Sequence, residues 1–214
     1  ILAVAGTVDG GLGISITSTN GSDWGNPATI DSGLSGIVPS DMVYALGRFL
    51  LLSSKGIYVS TNGLSWVNEY SATGGRSIAY GAGQLVAVGS DTLVTSADGV
   101  NWASEVVPAF TDDGINVHMM GVAYGDGQFV AVGYHVGDSQ IDDIVLTSPD
   151  GTNWVQRTLD STNAHGLYSV AIGDSRVVAL DINGTAYVSD LLLAWTPAST
   201  GTSNNILGFA ANAA

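Results

Sequence analysis

The chain has 214 residues, 45% hydrophobic and 11% charged, with 29 glycines, no cysteine and a formal net charge of −14. This balance excludes a disordered polypeptide, and the lack of cysteine excludes disulfides and thiolate metal sites. One lysine and four arginines against 19 acids would repel phosphate backbones, and no apolar run approaches the ~18 residues of a membrane-spanning helix, so neither nucleic acid nor membrane insertion is expected.

In chain order, the sequence starts at Ile1 rather than Met, which points to a processed, trimmed or partial chain. Residues 1–6 (ILAVAG) read as a strand. The phrase STNGSDW then ends at Trp24, and near-copies follow: STNGLSW to Trp66, SADGVNW to Trp102, SPDGTNW to Trp154 and the worn SDLLLAW to Trp195. The steps between these tryptophans are 42, 36, 52 and 41 residues. A strand-rich repeat of that length predicts one supersecondary unit used five times.

The third copy shows the unit most clearly. Four short apolar segments read as strands A (77–80), B (85–88), C (93–96) and D (102–107), joined by Gly-rich turns as an antiparallel meander. Strand A places Ala45, Ala79, Ala123, Ala171 and Gly208 at one position, between larger neighbours. On that reading the small residue faces a crowded axis and the large ones pack between sheets.

The termini complete the count. Residues 205–209 resemble a strand A without its B, and 1–6 resemble a strand B (129–133, FVAVG) without its A. From Trp195 across the termini to Trp24 is 43 residues, within the range of the internal steps. The expected fold is all-β: a single five-bladed β-propeller of four-stranded blades, closed by pairing of the terminal strands. The blades span roughly 205–214 with 1–25, then 41–68, 76–107, 120–158 and 168–198.

The phrase S-x-D/N-G-x-x-W resembles the Asp-box of bacterial-neuraminidase-type repeats. The longer pattern, AYGxGQxVAVG followed by TSxDGxxW, is similar to propeller repeats of bacteriophage structural proteins and bacterial surface proteins. The box has a structural explanation for Asn20, Asn62, Asp98 and Asp150: the side chain caps the C–D turn, glycine takes an unusual backbone angle, and Trp packs on the hairpin. The resemblance to sialidases would imply three converging arginines, a Tyr–Glu nucleophile pair and an acidic proton donor. Only Arg48, Arg76, Arg157 and Arg176 are present, and Arg48 and Arg176 fall at A–B turns, opposite the end of strand A that carries Arg76. Glycosidases with five blades use carboxylates near the axis, whereas the innermost strands here read as small and apolar. His118, His135 and His165 form no metal-spaced motif, and no Gly-rich phosphate loop with its lysine occurs. A non-enzyme without cofactor is expected.

Binding is expected where the D–A and B–C connections emerge, because these vary while the A–B and C–D turns repeat. In the fourth blade, the loop at 108–118 and the insertion at 134–143 gather Phe110, Asp112, Asp113, His118, Tyr134, His135, Asp138, Asp142 and Asp143. These acids read either as a solvated loop or as oxygen ligands for a cation such as Ca²⁺. Tyr70, Phe110, Tyr134 and Tyr168 are candidate stacking platforms for sugar rings. The functional expectation is a virion or surface adhesion or decoration module with other virion or surface proteins, or a host glycan, as partners. A secreted lectin and an assembly scaffold are the alternatives.

Overall fold

The computed structural model describes residues 2–8, 12–30, 37–71, 74–106, 117–137, 141–159, 165–190 and 194–201, with 2–8 and 12 described by backbone alone. Every regular element among them is a β-strand, and the strands form five antiparallel meanders. The first sheet has three strands, β1 (Leu2–Val8), β2 (Leu12–Ser18) and β3 (Ala28–Thr29). The second runs through β4 (Pro39–Ala45), β5 (Arg48–Ser53), β6 (Gly56–Ser60) and β7 (Val67–Tyr70). The third holds β8 (Gly75–Gly81), β9 (Gln84–Gly89), β10 (Thr92–Ser96) and β11 (Ala103–Ser104). The fourth holds β12 (Val117–Gly125), β13 (Gln128–Val136), β14 (Ile141–Ser148) and β15 (Val155–Arg157). The fifth holds β16 (Leu167–Gly173), β17 (Arg176–Asp181), β18 (Thr185–Asp190) and β19 (Trp195–Ser199).

The first strands of sheets two to five touch in succession, β4 to β8 to β12 to β16, while each second strand reaches the first strand of the next sheet. The sheets therefore stack radially, with strands β4, β8, β12 and β16 at the hub. Strand β1 contacts β4 as β5 contacts β8 and β9 contacts β12, so β1 holds the place of a second strand. Among the described residues no strand lies inside β1 or links the fifth sheet to the first. The expected closing strand at 205–209, with Gly208, lies outside the described residues.

Radial stacking buries both faces of a strand, and the sequence of β13 obeys this. Phe129 and Ala131 pack toward the third sheet with Val86, Val88 and Leu93. Val130 and Val132 point the other way, into a core shared with Val170, Val177 and Ala179 of the fifth sheet. All four are fully buried, and each large one contributes about 1.5–3 kcal/mol. Similar cores join the second sheet to the third, around Leu50, Leu52, Ile78 and Leu85, and the first to the second, around Ile30, Leu51 and Tyr58.

The expected hub of small side chains is corrected in two ways. Ala45, Ala79 and Ala123 belong to cores between sheets, and Ala171 is buried but does not line the axis cavity. The physical reason is that a radially stacked strand turns its edge, not a face, toward the axis. The assumed alignment is also shifted in the second sheet. Ala45 pairs with Arg48 as Gly81 pairs with Gln84, Gly125 with Gln128 and Gly173 with Arg176, so Val43 is the true equivalent of Ala79. The two-residue turn hides this shift, because Leu46 (φ 53°) and Gly47 (φ 76°) adopt left-handed angles in a sequence that lacks the Gly-x-Gly signature of its siblings.

Each intact box is one hydrogen-bonded turn. In the third sheet Ser96 Oγ accepts from the Gly99 amide (2.9 Å) and donates to Asp98 Oδ1, which accepts from the Val100 and Asn101 amides at 2.9 and 2.8 Å. Ser18–Asn20, Ser60–Asn62 and Ser148–Asp150 repeat the pattern. These amide bonds, first from the backbone and side chain of Asn101 and of Asn153, hold Asp98 and Asp150 far below the usual carboxylate range. The tryptophans were expected on their own hairpins, and Trp154 keeps that place by donating its Nε1 to Gly151 O of its own turn at 2.7 Å, but they also enter the cores shared with the preceding sheet. Trp66 Nε1 donates to Ser15 Oγ of the first sheet at 2.9 Å, Trp102 joins the core containing Leu50, and Trp154 and Trp195 join the cores built on the third and fourth sheets. Trp24 is 40% exposed. The worn fifth box leaves Ser189 Oγ buried without a hydrogen-bond partner, because position 191 is a leucine where its siblings carry the Asx that accepts from the serine.

Candidate binding face

The D–A and B–C connections emerge where the hub strands begin, and each hub strand starts with the same irregularity. The pairing slips by one residue between Pro39 and Asp41, Gly75 and Ser77, Met119 and Gly121, and Leu167 and Ser169. Such a bulge drops one residue out of the ladder and re-aims its side chain. The residues released are Ser40, Arg76, Met120 and Tyr168, and all four line one cavity of about 290 Å³ at the hub. Ser77, Gly121 and Ser169, one position further on, line it as well.

The same register position laces the strands together. Asp41 Oδ2 accepts from Ser77 Oγ and the Ile78 amide, both at 2.9 Å, and Asp41 Oδ1 accepts from the Met42 amide at 2.8 Å. Ser77 Oγ in turn accepts from the Val122 amide at 3.3 Å. At Gly121 a β-carbon would meet the Ser169 Cα at 3.3 Å, so the fourth and fifth hub strands pass backbone to backbone. The expectation of purely small and apolar innermost strands fails at this end, where the lining is serine, aspartate, arginine and tyrosine. Nothing in the composition of a strand marks a one-residue slip, which is why Arg76, Asp41 and the serines were missed, whereas Tyr168 was a candidate by its aromatic chemistry.

Tyr168 connects the cavity to the fourth sheet. Its ring stacks on Tyr134 with centroids 5.7 Å apart and planes 24° apart, and Tyr134 lies 5.0 Å from the His118 ring. His118 Nδ1 sits 3.1 Å from Ser90 Oγ of the third sheet. Three of the predicted residues thus form one aromatic row, held together because His118 and Tyr134 are cross-strand partners on β12 and β13. Burial, then a hydrogen bond that the Tyr134 hydroxyl donates to Tyr168, pushes the Tyr134 phenol up to about 12, while Arg76 nearby pulls it the other way.

The other predicted residues are placed differently. The insertion at 134–143 is mainly a continuation of the β13–β14 hairpin, with Tyr134, His135 and Val136 paired to Asp143, Asp142 and Ile141. His135 Nδ1 lies 3.5 Å from Asp142 Oδ2, and alternation puts His135 on the opposite face from Tyr134. Asp143 Oδ1 accepts from the Gly166 amide at 2.9 Å, tying the hairpin to the fifth sheet. Tyr70 faces Trp102, 6.0 Å away, in the core between the second and third sheets, so it is packing rather than a platform. Phe110, Asp112, Asp113 and Asp138 lie outside the described residues. Among the described residues no group of three His, Asp or Glu is spaced to hold a metal ion. His165 Nδ1 and the buried Asp181 Oδ2, 3.7 Å apart, form only a pair.

The four arginines do not converge. Arg157 Nε donates to Thr147 Oγ1 and Arg176 pairs with Asp190, both at 2.9 Å. Arg48 closes the β4–β5 turn. Only Arg76 enters the hub cavity.

No family model and no curated protein matches the chain. Solved structures do. YCF48 from Cyanidioschyzon merolae aligns with a TM-score of 0.55 at 16% identity, over 80% of this chain and 59% of its own. A chain of the nidogen/laminin complex aligns with a TM-score of 0.64 at 10% identity, over 98% and 81%. The extracellular domain of BT4673 from B. thetaiotaomicron aligns with a TM-score of 0.57 at 11% identity, over 94% of this chain and 28% of its own. The chain thus spans about six-tenths of the YCF48 chain. The structural neighbours are β-propellers, and β-propeller is the fold of this chain.

Proposed function

We propose that the chain is a non-enzymatic binding module, a five-bladed propeller that docks through the face where the D–A and B–C connections emerge. The observation that carries this reading is the continuous row His118–Tyr134–Tyr168 leading into the Arg76 cavity on that face. Rigid aromatics beside one cation present large contact area at low entropic cost, which suits recognition. Similar propellers include YCF48, solved bound to a D1 peptide, and a partner in the nidogen/laminin complex, so binding roles are established for the architecture. The repeat pattern favours a virion or bacterial-surface adhesion or decoration module, with a secreted lectin and an assembly scaffold as alternatives.

The test is adsorption of the labelled chain to intact bacterial cells and to their extracted surface polymers. Loss of adsorption in Tyr134→Ala/Tyr168→Ala, with retention in Tyr44→Ala on the opposite face, supports the reading. Equal behaviour of the two variants overturns it.

Closure of the ring belongs to the same proposal. Residues 205–209 complete the first sheet inside β1, in keeping with the contact of β1 with β4. Truncation after Gly201 then lowers the melting temperature by many degrees. An unchanged melting temperature refutes closure.

A further inference from the structure

We propose that the mouth of the hub is a binding site for a carboxylate-bearing sugar, with Arg76 gripping the carboxylate and Tyr168 stacking under the ring. The proposal rests on the binding-module reading and adds the ligand class. Its first support is that the four bulges deliver Ser40, Arg76, Met120 and Tyr168 to one spot. Where packing alone governs equivalent positions, the residue repeats, as it does at Gly81, Gly125 and Gly173. Here four blades supply four different chemistries, and only Ser40 is engaged by the next sheet, its Oγ donating to Gly75 O at 2.9 Å, so inter-sheet fit does not set the other three.

The charge arrangement supports an anion. Arg76 is exposed, and among the described residues it makes no ion pair, whereas Arg157 and Arg176 are engaged. Asp41 shares the cavity, but its carboxylate already accepts from Ser77 Oγ and the Met42 and Ile78 amides. Its charge is thereby turned to lacing β4 to β8. The arginine fork is left with its donors for a planar, bidentate acceptor.

Shape and polarity support a sugar over an apolar side chain. A volume of about 290 Å³ admits one ring rather than an extended segment. The Ser169 hydroxyl matches a ring hydroxyl, Ser40 and Ser77 keep only acceptor capacity because their protons go to Gly75 O and Asp41 Oδ2, and the lining offers Met120, Val122 and Val170 as its only aliphatic side chains. Tyr168 is braced for stacking because Tyr134 supports it from behind and His118 supports Tyr134.

The probes are oligomers of galacturonate, glucuronate and mannuronate and a sialylated oligosaccharide, titrated into the full chain by calorimetry and saturation-transfer NMR. Methyl esters of the same uronates serve as neutral twins. Binding of at least one acidic probe is expected, with loss of about 10- to 100-fold in its ester and in Arg76→Gln. Partial recovery is expected in Arg76→Lys, which keeps the charge without the fork, and no change in Arg48→Gln. Circular dichroism and melting curves verify that the variants fold. Equal affinity for acid and ester overturns the carboxylate assignment. Absence of binding by every probe, or binding only of acidic peptides, overturns the sugar assignment. If these fail while cell adsorption still depends on Tyr134 and Tyr168, the ligand class falls and the binding-module reading stands. If adsorption too is indifferent to them, both fall.

Discussion

Gly81→Ala is a severe test of the radial stacking. A β-carbon at Gly81 would lie 2.0 Å from the Tyr124 Cγ and 2.2–2.3 Å from both Cδ atoms, against the base of a ring on the next sheet rather than a flexible tip. Tyr124 cannot simply retreat, because its ring packs 4.7 Å from the buried Phe129. Overpacking of this kind costs about 1–3 kcal/mol. For a chain of this size each kcal/mol moves the melting temperature by about 2–4 °C, so a fall of roughly 2–12 °C is expected. The double variant with Tyr124→Leu recovers much of it, with a coupling energy of about 0.5–3 kcal/mol. Gly83→Ala is the contrast: nothing lies within 4 Å of its β-carbon, and its cost is backbone strain at φ +77°, which Tyr124→Leu leaves untouched. Thermal melts of six chains, the wild type, the three single variants and the two doubles with Tyr124→Leu, decide the matter. If Gly81→Ala melts with the wild type, or if Tyr124→Leu rescues both glycine variants equally, the third and fourth sheets do not meet as described.

Further predictions concern titration and the tryptophan contacts. Asp98 and Asp150 have folded pKa values below their unfolded ones, so their stabilisation is present above the ordinary carboxylate value of about 3.8 and drains away as pH falls below it. Asp98→Asn/Asp150→Asn, copying Asn20 and Asn62, flattens acid unfolding monitored by circular dichroism; an unchanged profile refutes the assignment. Tyr134 has a folded pKa raised from 10.0 to about 12, so its contribution is present below pH ~10 and is lost as pH rises toward 12. Burial also raises Tyr187, so phenolate absorbance shows more than one late-titrating tyrosine, of which Tyr168→Phe moves one down; no such movement contradicts the stacked pair. Trp66→Phe leaves the fully buried Ser15 Oγ without its indole donor and costs about 1–3 kcal/mol in chemical denaturation. A neutral result would break the link between the first two sheets.

The five-fold repeat was legible because tryptophan and Asx-Gly are rare enough to keep time, and strand alternation in segments such as 129–132 reported burial on both faces. The detail that failed did so for local reasons. Ala45 was set against Ala79 because a Leu-Gly turn looks unlike Gly-Ala-Gly, although both close a two-residue hairpin. The acidic insertion looked like a loop because His135, Asp142 and Asp143 are poor strand formers, yet extending an existing ladder costs less than starting one. Tyr134 and Tyr168 were found by their aromatic chemistry. Arg76 and the serines around it were not, since their role comes from a register slip that leaves no compositional trace.

Because Trp66, Trp102, Trp154 and Trp195 each anchor in the sheet made just before them, the molecule is assembled with a direction. Each of these repeats, as it emerges during synthesis, meets a finished template. Excising or duplicating an interior unit preserves every such junction. Removing the unit that carries Ser15 strands the Trp66 indole without its acceptor, so such chains grow and shrink cheaply only where each junction is rebuilt.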